Sequence, residues 1–150
     1  MNINFVCLGN TCRSPMAEFI MKNLVQQAGL ADKISVSSSG TFADEFSHIH
    51  CGTCHELTKH EIPFDDNRVS KRFRRADYSK YDLIIGMDVG NIWDIKNIVG
   101  GDPDNKIFLM MSFCGENRDV DDPYYTDKYS VTYNDINRAC KALLKKISQS

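Results

Sequence analysis

Residues 2–29, NINFVCLGNTCRSPMAEFIMKNLVQQAG, decide the fold. Asn2–Val6 is short, apolar and β-prone, and Pro15–Ala28 carries Met16, Phe19, Ile20, Leu24 and Ala28 on one helical face. Ser14 suits an N-cap, Pro15 the first helical position and Gly29 the residue after the helix end. The stretch therefore predicts strand, loop, helix, with CLGNTCRS as the connection.

Working outward, Ile34–Ser38 reads as a second strand. Thr53 with Glu56 three residues on has the pattern of a capping box, which predicts a short helix to about Glu61. Tyr81–Met87 (YDLIIGM) is a continuous apolar run suited to a strand buried on both faces, and Asp88 can cap a helix carrying Ile92, Trp93, Ile95 and Ile98 before Gly100 and Gly101. Lys106–Met111 repeats the buried-strand signature. Gly115–Lys128 reads as a polar, acidic loop, and Ser130–Ile147 as a helix with Ile136, Ala139, Cys140, Leu143, Leu144 and Ile147 at core spacing. Strands alternating with helices predict an α/β three-layer sandwich. Its centre is a four-stranded parallel sheet with helices on both faces, and a phosphate-binding loop follows the first strand.

A chain of 150 residues fits one domain over 1–150 with a sizeable core. The formal net charge of −2 gives no bulk attraction to nucleic acid or anionic membrane, so any anion site must be local. The N-terminus lacks the features of a signal peptide, and no segment approaches the roughly 18 apolar residues of a membrane span. A cytoplasmic protein is expected, in which six cysteines serve as free, catalytic or metal-bound thiols.

In a parallel sheet, ligands bind beyond the carboxyl ends of the strands, which points to CLGNTCRS. The loop runs into a helix start, where unpaired N–H groups and the positive dipole end suit a phosphate. Gly9 and Asn10 tolerate positive φ and let successive amides turn inward as an anion nest, and Arg13 offers a planar fork for two phosphate oxygens. That field is expected to lower the pKa of Cys7, and Ser14 can donate to its sulfur. A thiolate attacking a phosphate ester needs an acid for the departing oxygen. Asp122 is the candidate, with Asp121 as the alternative. In DDPYY, Pro123 rigidifies the loop, and Tyr124 and Tyr125 are expected to wall the carboxyl and raise its pKa.

FVCLGNTCRSPMAE, YDLIIGMD with Asn91, and DPYY resemble the low-molecular-weight protein tyrosine phosphatases over nearly the whole chain. The resemblance implies Cys7 as nucleophile, Arg13 as phosphate clamp, Asp122 as acid then base, and Ser14 as support for the thiolate. It makes Leu8, Gly9, Asn10, Thr11 and Cys12 the rest of the phosphate loop, with Asn10 and Ser38 holding the loop in its strained form. It makes Cys12 a thiol able to pair reversibly with Cys7. No metal or organic cofactor is implied. Tyr124 and Tyr125 resemble the aromatic wall that packs on a phosphotyrosine ring. Phosphotyrosine proteins or peptides and small aryl phosphates are the expected substrates of a monomer or weak homodimer.

Three alternatives stay open at the level of sequence. Thr11 resembles the protein-arginine phosphatases of the same family. Arsenate reductases share the loop but relay a disulfide through further cysteines near the third strand, and residues 82–98 hold none. A module that binds phosphorylated ligands without turnover would want Arg13 but not Cys7, Ser14 and Asp122 together.

HIHCGTCHELTKH, residues 48–60, holds all four histidines and two cysteines, and contains a C-x-x-C-H haem-attachment pattern. His50, Cys51, Cys54 and His55 are close enough in sequence for a compact zinc site. Covalent haem attachment needs an export or organelle route that this N-terminus does not provide. Family members carry a similar His-x-Gly-Thr before a short helix, which leaves Cys51 and Cys54 as spare thiols able to pair under oxidation. Arg68, Lys71, Arg72, Arg74 and Arg75 read as a solvated basic run.

Overall fold

The computed structural model describes residues 1–149. Its elements run β1 (Asn2–Cys7), α1 (Arg13–Gln27), β2 (Ser35–Gly40), α2 (Cys51–Lys59), β3 (Leu83–Gly86), α3 (Val89–Val99), β4 (Ile107–Leu109), α4 (Pro123–Thr126) and α5 (Tyr129–Ser148). Short 3-10 turns span Arg75–Lys80 and Met110–Cys114. The four strands form one sheet in the order β2-β1-β3-β4, parallel throughout. The predicted four-stranded parallel sheet is the one observed.

Side chains alternate across a strand, so the residues of β1 serve two cores. Ile3 and Phe5 join Ile85 on the face covered by α1 and α5, together with Met16, Ile20, Ile136 and Leu143. Val6 and Ile84 point the other way, to Ile95 of α3, Phe73 and Ile107. Polar groups inside the sheet are paired: Ser39 Oγ donates to Asn4 Oδ1 at 2.9 Å and Asn4 Nδ2 donates to Ser37 Oγ at 3.2 Å.

From β1 the chain crosses to β2 on one side and later to β3 on the other. The loops leaving the ends of β1 and β3 therefore part, and the crevice between them is where ligands of such sheets bind. Among the described residues no helix is long and apolar enough to cross a membrane.

Several element boundaries differ from the sequence reading. The N-cap of α1 is Cys12, with no side-chain cap. Ser14 lies inside the helix because its hydroxyl is taken by Cys7 and Asn10. The start of α2 is capped by His50, whose Nδ1 accepts from Gly52 N at 3.0 Å, so the expected Thr53 cap does not form. Thr53 Oγ1 instead donates to the Cys12 carbonyl at 3.2 Å, tying α2 to the phosphate loop. The strand expected over 106–111 is extended only over Ile107–Leu109 and then turns, and the loop expected over 115–128 contains α4, with Asp122 as N-cap and Pro123 at its first position. Asp88 caps α3 as expected, in a capping box with Asn91.

Candidate active site

Residues 8–12 connect Cys7, at the end of β1, to the start of α1. Asn10 has φ 57°, a left-handed conformation that asparagine tolerates better than most side chains. That turn aims Asn10 N at Cys7 Sγ, at 3.3 Å. Ser14 Oγ lies 2.9 Å from the same sulfur.

Asn10 is fully buried and holds the loop from behind. Its Nδ2 donates to Ser14 Oγ at 2.8 Å and Ser38 Oγ at 2.9 Å. Ser38 Oγ in turn donates to Glu18 Oε1 at 2.5 Å. On the acceptor side, Asn10 Oδ1 takes Lys71 N at 3.0 Å and Arg68 Nη2 at 2.5 Å, while its carbonyl takes Arg68 Nη1 at 3.0 Å and Ser70 Oγ at 2.9 Å.

Arg68 is therefore not part of a solvated basic run. It is half-buried with its fork spent on one loop residue, and burial lowers its pKa.

The loop is also pinned by main chain. Thr41 N donates to Cys7 O, Phe42 N to Leu8 O and His50 N to Thr11 O, at 2.9 to 3.0 Å. The end of β2 comes so close that a Cβ on Gly40 would stand 2.6 Å from Leu8 O and 2.9 Å from Asn10 N. Any side chain there would push the phosphate loop out of shape.

Arg13 is 3% exposed. Its Nη1 donates to Asp88 Oδ2 and to Val120 O, both at 2.8 Å, and Nη2 faces Asp122 Oδ2 at 3.4 Å. Burial works to lower its pKa, but Cys7, Asp122 and Asp88 outweigh burial and raise it above the ordinary arginine value. Asp88 thus serves twice, capping α3 through Oδ1 and fixing the Arg13 fork through Oδ2.

Asp122 caps α4 by accepting Tyr124 N on Oδ1 at 3.1 Å, which turns Oδ2 toward Arg13. Asp121 is exposed, and its carbonyl accepts from Thr132. A cleft of about 190 Å³ is lined by Cys7, Leu8, Gly9, Thr11, Cys12, Arg13, Asp122, Tyr124 and Tyr125. Asn10, Ser14 and Ser38 stand behind its floor. Tyr124 and Tyr125 stand at its mouth, 66% and 77% exposed, with their rings edge to face. They wall the opening rather than enclose the carboxyl.

Beneath the loop, Cys12 Sγ lies 3.8 Å from Tyr129 Oη, and that hydroxyl lies 2.9 Å from His50 Nδ1. Burial raises the Cys12 thiol, and burial together with the Cys12 hydrogen bond raises Tyr129. His50 is thus a helix cap and a loop tether. Among the described residues no group of three or more histidine, cysteine or acidic side chains is arranged to hold a metal. Neither the cysteines nor the histidines of residues 48–60 line the cleft.

Glu18, Arg68, Asp88, Tyr129, His50 and Gly40 were not singled out for this site by the sequence. Asp88 carried a signal, since it directly follows a strand end at the sheet's carboxyl edge. Arg68 carried none, sitting among four other cations within eight residues.

Known proteins resemble this chain along nearly its whole length. The PtpA low molecular weight protein-tyrosine-phosphatase of Staphylococcus aureus strain MRSA252 is 38% identical over 148 residues, covering 96% of this chain and 92% of its own. The crystal structure of YfkJ from Bacillus subtilis superposes with a TM-score of 0.94 at 33% identity, covering 99% and 95% of the two chains. The YwlE arginine phosphatase, in a cysteine-to-serine mutant with a phosphorylated active site serine, superposes with a TM-score of 0.90 at 29% identity, over 100% and 97%. A model of the low molecular weight phosphotyrosine protein phosphatases matches residues 2–150. A match over so much of the chain, to a family of phosphatases whose fold it shares, establishes that the protein belongs to the low molecular weight phosphotyrosine protein phosphatase family.

Proposed function

We propose that this phosphatase hydrolyses phosphotyrosine in proteins and peptides, and small aryl phosphates, through a cysteinyl-phosphate. The observation that carries the reading is the convergence of Cys7, Arg13 and Asp122 on one narrow cleft with two tyrosines at its mouth.

The loop amides and the Arg13 fork bind the three phosphate oxygens. Cys7 attacks as the thiolate, the P–O bond to the substrate breaks, and the Asp122 carboxyl gives its proton to the departing phenolic oxygen. In the second step the Asp122 carboxylate takes a proton from water, whose oxygen displaces the Cys7 sulfur from phosphorus. The contact of Ser14 Oγ with Cys7 Sγ supports a hydroxyl that stabilises the sulfur both as nucleophile and as leaving group. Asp88 acts through Arg13, holding Nη1 of its fork at 2.8 Å. Placement of Asp122 toward Arg13, with Asp121 turned to solvent, favours Asp122 as the acid. The phosphorylated active site serine of the YwlE mutant supports a covalent phosphoryl-enzyme in a relative.

Phosphoarginine is the second reading, favoured by two observations: Thr11 lines the cleft, and the chain resembles a structure named as an arginine phosphatase. Tyr124 and Tyr125 favour phosphotyrosine, because a phenyl ring gains both area and edge-to-face contact from them.

The test begins with p-nitrophenyl phosphate at mildly acidic pH under reducing conditions. Cys7→Ser is expected to abolish turnover, and Asp122→Ala to lower kcat by about 10²- to 10⁴-fold, the usual worth of a general acid. An inactive wild type would remove the enzyme mechanism and leave a phospho-ligand binding module. Phosphotyrosine and phosphoarginine peptides are then compared on wild type and Thr11→Ile. Wild-type preference for phosphoarginine would overturn the substrate assignment.

A further inference from the structure

The segment CGTCH, residues 51–55, is not used by the phosphate chemistry. In the fold it becomes the first turn of α2, with Cys51 the first helical residue and Cys54 the fourth. Helix geometry sets Cα atoms three residues apart at about 5 Å. That falls inside the span of roughly 4.4–6.8 Å that a disulfide bridges.

Both thiols are free, and they differ in access. Cys51 is exposed, while Cys54 is half-buried and packs against the main core. Burial first, then the charges of Asp66 and Cys51, push the Cys54 thiol up. His50 Nδ1 lies 4.0 Å from Cys51 Sγ, with its lone pair taken by the Gly52 amide at 3.0 Å.

An accessible sulfur above a shielded one, three residues apart at a helix start, is the arrangement used for thiol–disulfide exchange. The outer sulfur attacks, and the inner one resolves.

We propose that Cys51 and Cys54 form a thiol–disulfide exchange site, separate from the phosphate cleft, whose substrate is a low-molecular-weight disulfide. Cys51, as thiolate, attacks one sulfur of the external disulfide. That S–S bond breaks, the first small thiol leaves with a proton from solvent, and a mixed disulfide remains on Cys51. Cys54 then attacks Cys51 Sγ, the mixed disulfide breaks, and the second small thiol leaves with the proton given up by Cys54. The protein dithiol is oxidised by two electrons, and one disulfide is reduced to two thiols.

The test uses the full chain, both as wild type and with Cys7→Ser and Cys12→Ser to remove the phosphate-loop thiols. Each is equilibrated in glutathione buffers of rising disulfide fraction, acid-quenched, alkylated and digested with trypsin. Residues 34–59 form one tryptic peptide that carries Cys51 and Cys54 and no other cysteine. The expected product is this peptide, unalkylated and lighter by two hydrogens, appearing reversibly as the disulfide fraction rises. With Cys54→Ser or Cys54→Ala the reaction is expected to stop at a glutathione adduct on Cys51. With Cys51→Ser, Cys54 is expected to react about tenfold or more slowly than Cys51 does, because its sulfur is shielded. Undiminished p-nitrophenyl phosphate turnover by the Cys51 and Cys54 variants under reductant would show that they are folded. A wild-type chain that accumulates the Cys51 adduct without the internal disulfide would overturn the proposal. So would a Cys54 that reacts as fast as Cys51.

Discussion

Replacing Asn10 with alanine strikes the part of the structure on which the phosphate loop depends most. The side chain makes four hydrogen bonds in a fully buried position, to Ser14, Ser38, Arg68 and Lys71. Two partners are compensated after its loss: Ser14 Oγ keeps Cys7 and the Ser39 carbonyl, and Ser38 Oγ keeps Glu18. The other two, Arg68 Nη2 and the Lys71 amide, lose an acceptor in a partly buried position, at about 1–2 kcal/mol for each donor. Alanine must also adopt the left-handed φ of 57° at this position, at a cost of about 1 kcal/mol.

The total comes to about 4 kcal/mol, at the upper end of single-site effects. For a chain of this size that lowers Tm by on the order of 10 °C. Turnover of p-nitrophenyl phosphate is expected to fall on the order of tenfold to a hundredfold, because the amide aimed at Cys7 Sγ is no longer held in place. Asn10→Gly separates the two contributions. It loses the same hydrogen bonds but accepts the backbone, and it is expected to unfold about 1 kcal/mol later than the alanine variant. The assay is urea unfolding with the slope of the transition checked for constancy, alongside steady-state kinetics. An alanine variant within about 1 kcal/mol of wild type would refute the claim that this network holds the loop. Equal stability of the alanine and glycine variants would remove the backbone contribution.

Two further predictions concern packing beside the loop and an ion pair elsewhere in the fold. Gly52→Ala would drive a Cβ into the ring of Tyr129, so the ring must move and its contacts with Cys12 and His50 are lost. A cost of about 1–3 kcal/mol is expected, most of it recovered in Gly52→Ala with Tyr129→Ala, and a neutral single variant in thermal unfolding would contradict the packing described. Asp135 accepts two hydrogen bonds from Arg118, at 2.8 and 3.0 Å, and this pairing holds its carboxyl below the usual value despite burial. A depressed folded-state pKa contributes stability that is present above the unfolded value of about 3.9 and lost as pH falls through the folded one. Wild type should therefore lose stability more steeply than Asp135→Asn below about pH 4. At neutral pH the variant is expected to be less stable by no more than about 1 kcal/mol, since Arg118 is partly exposed and screened. Parallel pH profiles of the two proteins would show that the pair contributes nothing.

Much of this is legible in the sequence. The apolar runs of β1 and β3 and the helical period of α1 and α5 announced themselves, because burial on two faces or on one leaves different spacings in the chain. Cys7, Arg13 and Asp122 were singled out from loop position and neighbouring proline and aromatics, and the fold gathers all three on one cleft. Where the structure differs from the local sequence pattern, a side chain has a better partner elsewhere in the fold than its local one. Ser14 turned from capping its helix to the Cys7 sulfur, and Thr53 from a capping box to the Cys12 carbonyl, while His50 took over the cap.

By itself, then, the sequence determined the main strands and helices, the strand-loop-helix unit that carries the phosphate loop, and the residue types that chemistry with phosphate requires. These rest on local periodicity and on neighbours within a turn or two, which are properties of a chain before it folds. Only the tertiary structure decided who holds that loop in place. Arg68 reaches Asn10 from 58 residues away and Arg13 reaches Asp88 from 75. Gly40 earns its place only because β2 runs beside β1 and brings its backbone against the loop. Such pairings depend on strand order and on which groups burial strips of water, and no spacing within the chain encodes them.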